Sequence, residues 1–443
     1  MKVIFVITAY FLVVIVIGVI SWFKIKTPAD YYIAGKRAGI FQVSGSLLAT
    51  ILGGSAIMGT IELSHKIGWA ALWFLFSAAI GLLFLVPLSK YVSRYGNFTL
   101  PELLGRFYGE KTEIIASAII PAAWTGIIAV QIITAAKVLI ASNILSYQQG
   151  AVVAGIVFIV YTLFGGQISI IKTDIFQAFL IIAGIIILTV FIIKESPEIF
   201  PEKNHIEHLF NSSFTPFDLL ILILTYSVTF VVGPDIYSRI FCAKNEKTAS
   251  KSVLIVAMIM IPIAFLLTYI GIYSSQSETE GIINFAGHLL PDLMYGLFIV
   301  ALLSAVMSSA DTTLLNSSMI LSRLISGNLN KPLSLKLTRL FVVLLGFISI
   351  IISIFVNSII DALLFALTLF SGAFTIPTLF GLLGVPTKKH NIISAVIIGG
   401  IMALSGKIIN AYINDLAGNI VIVGSFAISF ALLFRLKKPN SKN

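Results

Sequence analysis

Charge is scarce in this sequence. Only 11% of its 443 residues are Asp, Glu, Lys or Arg, against about 25% in a soluble globular chain. So few charges cannot cover a chain of this length in water, and lipid is expected to solvate most of it. Cysteine is nearly absent too. The single Cys242 excludes a disulfide framework and any CxxC motif, and it is expected to pack at a helix end. His205 and His208, three apart in a polar loop, are the nearest approach to a metal pair, and they are not read as one. No GxxxxGK[ST] stretch occurs, which excludes ATP-driven transport by a P-loop. No nucleophile–base set stands out, so the chain is not read as an enzyme. The tail after Phe434 is too short to carry a sensor's output module.

Apolar residues are abundant. They make up 58% of the chain, and mean hydropathy is +1.03. The apolar runs are long and do not alternate, which favours spanning helices over a β-barrel. They read as 2–23, 39–63, 67–93, 113–141, 148–167, 170–193, 216–241, 250–273, 292–325, 336–356, 358–384, 391–406 and 416–434. The expected class is therefore an all-α integral membrane protein of about thirteen transmembrane helices. Segment 2–23 is too long for a signal-peptide core and lacks a small-residue cleavage site.

The net charge of +10 follows from topology rather than from a nucleic-acid partner. With the N-terminus outside, only Lys2, Lys66, Lys137, Lys194, Lys203 and Lys407 of the 29 Lys and Arg fall on the outer half. The positive-inside rule then gives a multi-pass cell-membrane protein with its C-terminus in the cytoplasm. Lipid is the expected partner, and no obligate protein partner is evident.

Two segments carry helix breakers near their middles: Gly53-Gly54 in 39–63 and Gly233-Pro234 in 216–241. Interrupted helices at matching places in two halves of a chain point to an inverted-repeat binding site. Within 292–325, Ala305, Ser308 and Ser309 share one helical face and offer oxygen atoms suited to a hard cation. Such serines can equally bond back to their own helix. Asp311 and Thr312 extend that face by a turn. Asp311 and Asp174 are carboxylates inside apolar segments and so candidates for function. Asp174 could instead pair with Lys172 or lie at the interface. Glu62 reads as interfacial, and Lys137 as a side chain reaching for water.

Several motifs, in order along residues 27–385, resemble the sodium:solute symporter family. They are Asp30-Tyr31-Tyr32-Ile33-Ala34-Gly35-Lys36-Arg37; Ser46-Leu47-Leu48-Ala49 with Leu52-Gly53; and Thr99-Leu100-Pro101-Glu102-Leu103-Leu104 with Arg106-Phe107. Gly165-Gly166 with Thr173-Asp174 and Gln177 follows, and then Gly233-Pro234-Asp235 with Arg239. The resemblance is closest to the sodium/proline type. It implies a LeuT-type five-plus-five inverted repeat with extra N- and C-terminal helices. Residues 1–38 would hold the N-terminal extra helix, 39–194 the first repeat, 195–215 an extracellular loop, 216–384 the second repeat, and 385–443 the C-terminal helices and tail.

The resemblance also implies a sodium site at Ala49, Leu52, Ala305, Ser308 and Ser309, with Na+ as the coupling ion. A possible second cation site maps to Asp174, Ser308, Asp311 and Thr312. There Asp311 stands in place of an expected hydroxyl. Substrate contacts map to Ala56, Tyr226, Phe230 and Pro234 on the broken helices, and to Ser371 and Thr375 in 358–384. Sugar-transporting members carry polar residues where Ala56, Leu75 and Tyr226 stand, so an amino acid such as proline or a short carboxylate is favoured. The implied activity is sodium-coupled import by alternating access. The alternatives are a proton-coupled or uncoupled exchanger on the same fold using Asp311 or Asp174, and, further off, a sensor or channel.

Overall fold

The computed structural model describes residues 2–95, 98–140, 145–195, 209–277, 281–356 and 358–435. Most of the expected loop 195–215, with His205 and His208, lies outside them, as does the tail 436–443.

The chain begins with α1 (Lys2–Trp22). A short helix, α2 (Pro28–Ile33), follows because Thr27 and Asp30 form a reciprocal capping box and Pro28 opens the first turn. Helix α3 (Ile40–Ile51) stops at Leu52, and α4 (Gly54–Ile67) restarts after Gly53, which is extended at φ −62°, ψ 166°. Next come α5 (Leu72–Tyr95), the short α6 (Leu100–Tyr108) capped by Thr99, and α7 (Glu110–Ile140). Helix α8 (Tyr147–Glu195) bends at Gly166, whose φ of +53° only glycine takes readily.

The second broken element comprises α9 (Pro216–Leu222), a π-helical stretch at Ile223–Ser227, α10 (Val228–Val232), and α11 (Pro234–Cys242) beyond an extended Gly233. Helices α12 (Glu246–Ser275), the short α13 (Ile282–Leu289), α14 (Asp292–Ser326), α15 (Pro332–Phe355) and α16 (Ile359–Leu383) lead to a closing pair, α17 (Ile392–Tyr412) and α18 (Asp415–Leu433).

Each apolar segment of the sequence reading coincides with one of these helices or helix arms. Among the described residues, ten helical stretches are long and apolar enough to cross a membrane; one of them, 147–195, contains the Gly166 bend. The short α2, α6 and α13 and the π-helical stretch are not resolved by hydropathy, because each is too brief to leave a periodic signature.

Helix α14 is the axis of the molecule. It is buried on all sides from Phe298 to Ile320 and packs against α1, α7, α8 and α15. Large apolar side chains such as Phe84, Phe179, Phe347 and Phe355 point outward, where acyl chains would cover them. The close approach of the first break to α14 depends on glycine. A Cβ on Gly53 would stand 2.2 Å from the Ser309 hydroxyl, and one on Gly54 2.2 Å from Val306.

A candidate ion and solute site at the two helix breaks

The last in-ladder bond of α3 runs from the Leu52 amide to the Leu48 carbonyl. Carbonyls from Ala49 to Leu52 therefore lie past the ladder, as at any helix end. Ser309 on α14 already uses one of them, donating its hydroxyl to the Thr50 carbonyl at 2.8 Å. Ser308, one residue earlier, donates to Asp174 at 2.6 Å. Ala49, Leu52, Ala305 and Ser308 are fully buried and Ser309 nearly so. A hydroxyl that donates one proton keeps lone pairs for a cation. The donor set is hard oxygen from carbonyls and hydroxyls, which suits an alkali ion.

Beside this set lies a buried charge cluster. The Asp174 carboxylate accepts from Ser46, from Ser308, and from Arg239 at 3.0 Å. Arg239 also donates to Thr50 at 3.2 Å and to Thr312. Both members of the pair have wholly buried side chains. Asp174 thus pairs with Arg239, while Lys172 donates to Ser21 at 3.1 Å instead. Asp311, also fully buried, has no hydrogen-bond partner among the described residues on either carboxylate oxygen. One arginine and two aspartates leave the cluster formally one positive charge short if both carboxyls are ionised.

A cavity of about 90 Å³ adjoins the cluster. Thr50, Gly53 and Ala56 line it from the first broken helix, Tyr226, Phe230 and Asp235 from the second, and Ser309 and Thr313 from α14. Trp124 and Gln131 of α7, with Leu363 and Leu367 of α16, complete the wall. Tyr226 stacks on Phe74 with ring centroids 4.3 Å apart, which fixes its position. Among the expected solute contacts, Ala56, Tyr226 and Phe230 reach the cavity. Pro234 is buried beside its rim, where Gly233 faces it. Ser371 and Thr375 are buried one and two turns past Leu367 and do not line it.

Sequence reasoning missed Trp124 and Gln131, and it named Asp235 and Arg239 only as parts of the second broken-helix motif, without a role. The available signal was Asp235 and Arg239, two charges one turn apart in an apolar span. Lys137, read as reaching for water, instead pairs with Glu62 at 2.9 Å. Cys242 ends α11 and is buried.

Comparison with known proteins decides the family. Residues 31–402 match the model of the sodium:solute symporter family. The chain belongs to the sodium:solute symporter family. Its relatives include the sodium/proline symporter of Haemophilus influenzae, 24% identical over 90% of this chain and 87% of that protein. They also include the sodium/pantothenate symporter of Escherichia coli, 23% identical over 72% of this chain and 71% of that one. The structure matches a Na+-coupled sialic acid symporter with a TM-score of 0.80 at 20% identity, over 99% of both chains. A nucleobase-cation-symport-1 family transporter matches at a TM-score of 0.61 and 14% identity, over 92% of this chain and 94% of that one. The fold is accordingly LeuT-type, and the chain is a multi-pass membrane transporter rather than an enzyme.

Some of the motifs that mark this symporter are packing devices. Tyr31 of the Asp-Tyr-Tyr motif fills the space above Gly166, where a Cβ would lie 2.6 Å from its ring. Thr99 caps α6 by accepting from the Glu102 amide, and Arg323 lies against Glu102 at 3.8 Å and Glu113 at 3.0 Å. Gln177 donates to Tyr10 of α1 at 3.0 Å.

Proposed function

We propose that this protein imports a small organic solute together with sodium by alternating access. Ala49, Leu52, Ala305, Ser308 and Ser309 would hold the ion. The observation that carries the reading is Ser309. It bonds the opened first helix at Thr50, and both residues also line the solute cavity. An ion drawn to Ser309 and the freed carbonyls would therefore shape the pocket and hold α3 against α14. The charge cluster, one cation short, adds local attraction for that ion.

Residues 39–194 and 216–384 serve as the two repeats, with the N-terminus outside and the C-terminus in the cytoplasm, as the lysine and arginine distribution supports. Segment 195–215 is then extracellular. Apolar Ala56 and aromatic Tyr226 and Phe230 favour an amino acid such as proline, or a short carboxylate, over a sugar. One sodium crossing ~100 mV releases about 2.3 kcal/mol, and a tenfold ion gradient adds about 1.4 kcal/mol. Together they sustain about 500-fold accumulation of a neutral solute.

Arg239 bears on the second cation position. Its guanidinium contacts Asp174 and Thr312, so a fixed cation already serves two of the four groups assigned there. Asp311 remains as the group a further ion or proton would use.

The test is uptake into proteoliposomes under imposed gradients of sodium, potassium or pH. Saturable uptake that follows the sodium gradient, and is lost in Ser308→Ala, is the expected result. Uptake driven by a pH gradient without sodium would move the proton-coupled alternative ahead, and an ohmic current would indicate a channel.

A further inference from the structure

We propose that Asp235 is the counter-charge for a protonated amine on the transported solute. The inference rests on the reading of the central cavity as the solute site, and it narrows that site's chemistry.

Asp235 sits in the first turn of α11, directly after the second break. Among the described residues, the cavity wall includes no lysine, arginine or histidine, and Asp235 is its charged member. Its two oxygens accept from neutral groups, Trp124 at 2.7 Å and Asn316 at 2.8 Å. The helix N-terminus adds a partial positive charge. Full neutralisation is missing, because Arg239, one turn further on, is committed to Asp174, Thr50 and Thr312. A partly buried carboxylate without a cation still carries a desolvation cost, and a solute ammonium group would offset that cost.

A second observation points the same way. Gln131, on the same wall, spends its amide N–H on Ser55 at 3.0 Å and leaves its carbonyl oxygen buried with no partner. The hydroxyl protons of Thr229 and Thr313 are already donated to backbone carbonyls of their own helices. The cavity therefore offers acceptors, together with the ring faces of Trp124, Tyr226 and Phe230. Acceptors plus ring faces recognise a cation that carries N–H donors. A carboxylate lacking nitrogen would face Asp235 with like charge.

Matched solutes test this with the full-length protein in detergent and sodium, by thermal-shift titration. The pairs are L-proline with tetrahydrofuran-2-carboxylate, L-alanine with propionate, and 4-aminobutyrate with butyrate. Pyrrolidine and ethylamine represent amines without a carboxylate, and separate zwitterions from simple cations. We expect only amine-bearing members to stabilise. Asp235→Asn should weaken them about 10- to 100-fold, whereas Asp235→Glu should keep the order of preference. Circular dichroism and elution profile establish that both variants fold. The proposal is overturned if amine-free partners bind equally well, if no amine-bearing solute stabilises, or if Asp235→Asn leaves amine affinity unchanged. Amine selectivity that is identical in sodium and potassium would instead sink the sodium-coupled reading while leaving Asp235 in place.

Discussion

Asp174 and Asp311 belong to the same buried polar cluster, yet their surroundings differ sharply. Asp174 is saturated, with donors arriving from α3, α11 and α14. Asp311 has none. The contrast separates two uses of a buried carboxyl. Asp174 is a structural knot that ties both broken helices to α8 and α14 through Arg239. Asp311 is a group held in reserve, without a hydrogen-bond partner among the described residues. Burial alone says little about function; the partner inventory says more.

The largest effect should come from cutting the knot. Arg239→Ala leaves Asp174 buried and unpaired, which costs about 3–5 kcal/mol. A fall in melting temperature and in folded yield is expected, measured by thermal unfolding in detergent. Adding Asp174→Asn to Arg239→Ala should recover part of the loss, since the second change removes the stranded charge. If Arg239→Ala melts like the parent, the knot is not structural. The smallest effect should come from Asp311→Asn. No protein hydrogen bond is lost there, so stability should stay within about 1 kcal/mol of the parent. A collapse like that of Arg239→Ala would erase the contrast.

Much of the fold was legible in the sequence because long apolar runs, glycine–proline breaks and basic loops are strong signals. Gly53 and Gly233 are extended as expected, while Gly54 and Pro234 already open the following helices. Of the residues assigned to the sodium site, Ala305, Ser308 and Ser309 were read from their shared helical face and Ala49 and Leu52 from the family resemblance; Ser309 does meet the end of α3, at the Thr50 carbonyl. The proposed solute cavity was less legible. Trp124 and Gln131 enter from α7, a helix with no motif, and only the packing of distant segments brings them to Tyr226. Ser371 and Thr375 mapped by resemblance but stand too far along α16, where Leu363 and Leu367 face the cavity instead. Arg239 was counted only as an inner-side charge within segment 216–241, because charge counting cannot see a partner 65 positions away in sequence.

The central claim is that Ser309 couples the ion to the solute, and reciprocity tests it most directly. If the two sites are linked, sodium must raise solute affinity by the same factor by which solute raises sodium affinity. Calorimetric titration of each ligand, with and without the other, measures both factors. The account predicts equal factors of about 5- to 150-fold in the parent protein and factors near one in Ser309→Ala. Solute affinity that is independent of sodium in the parent, or coupling that survives intact in Ser309→Ala, would contradict it.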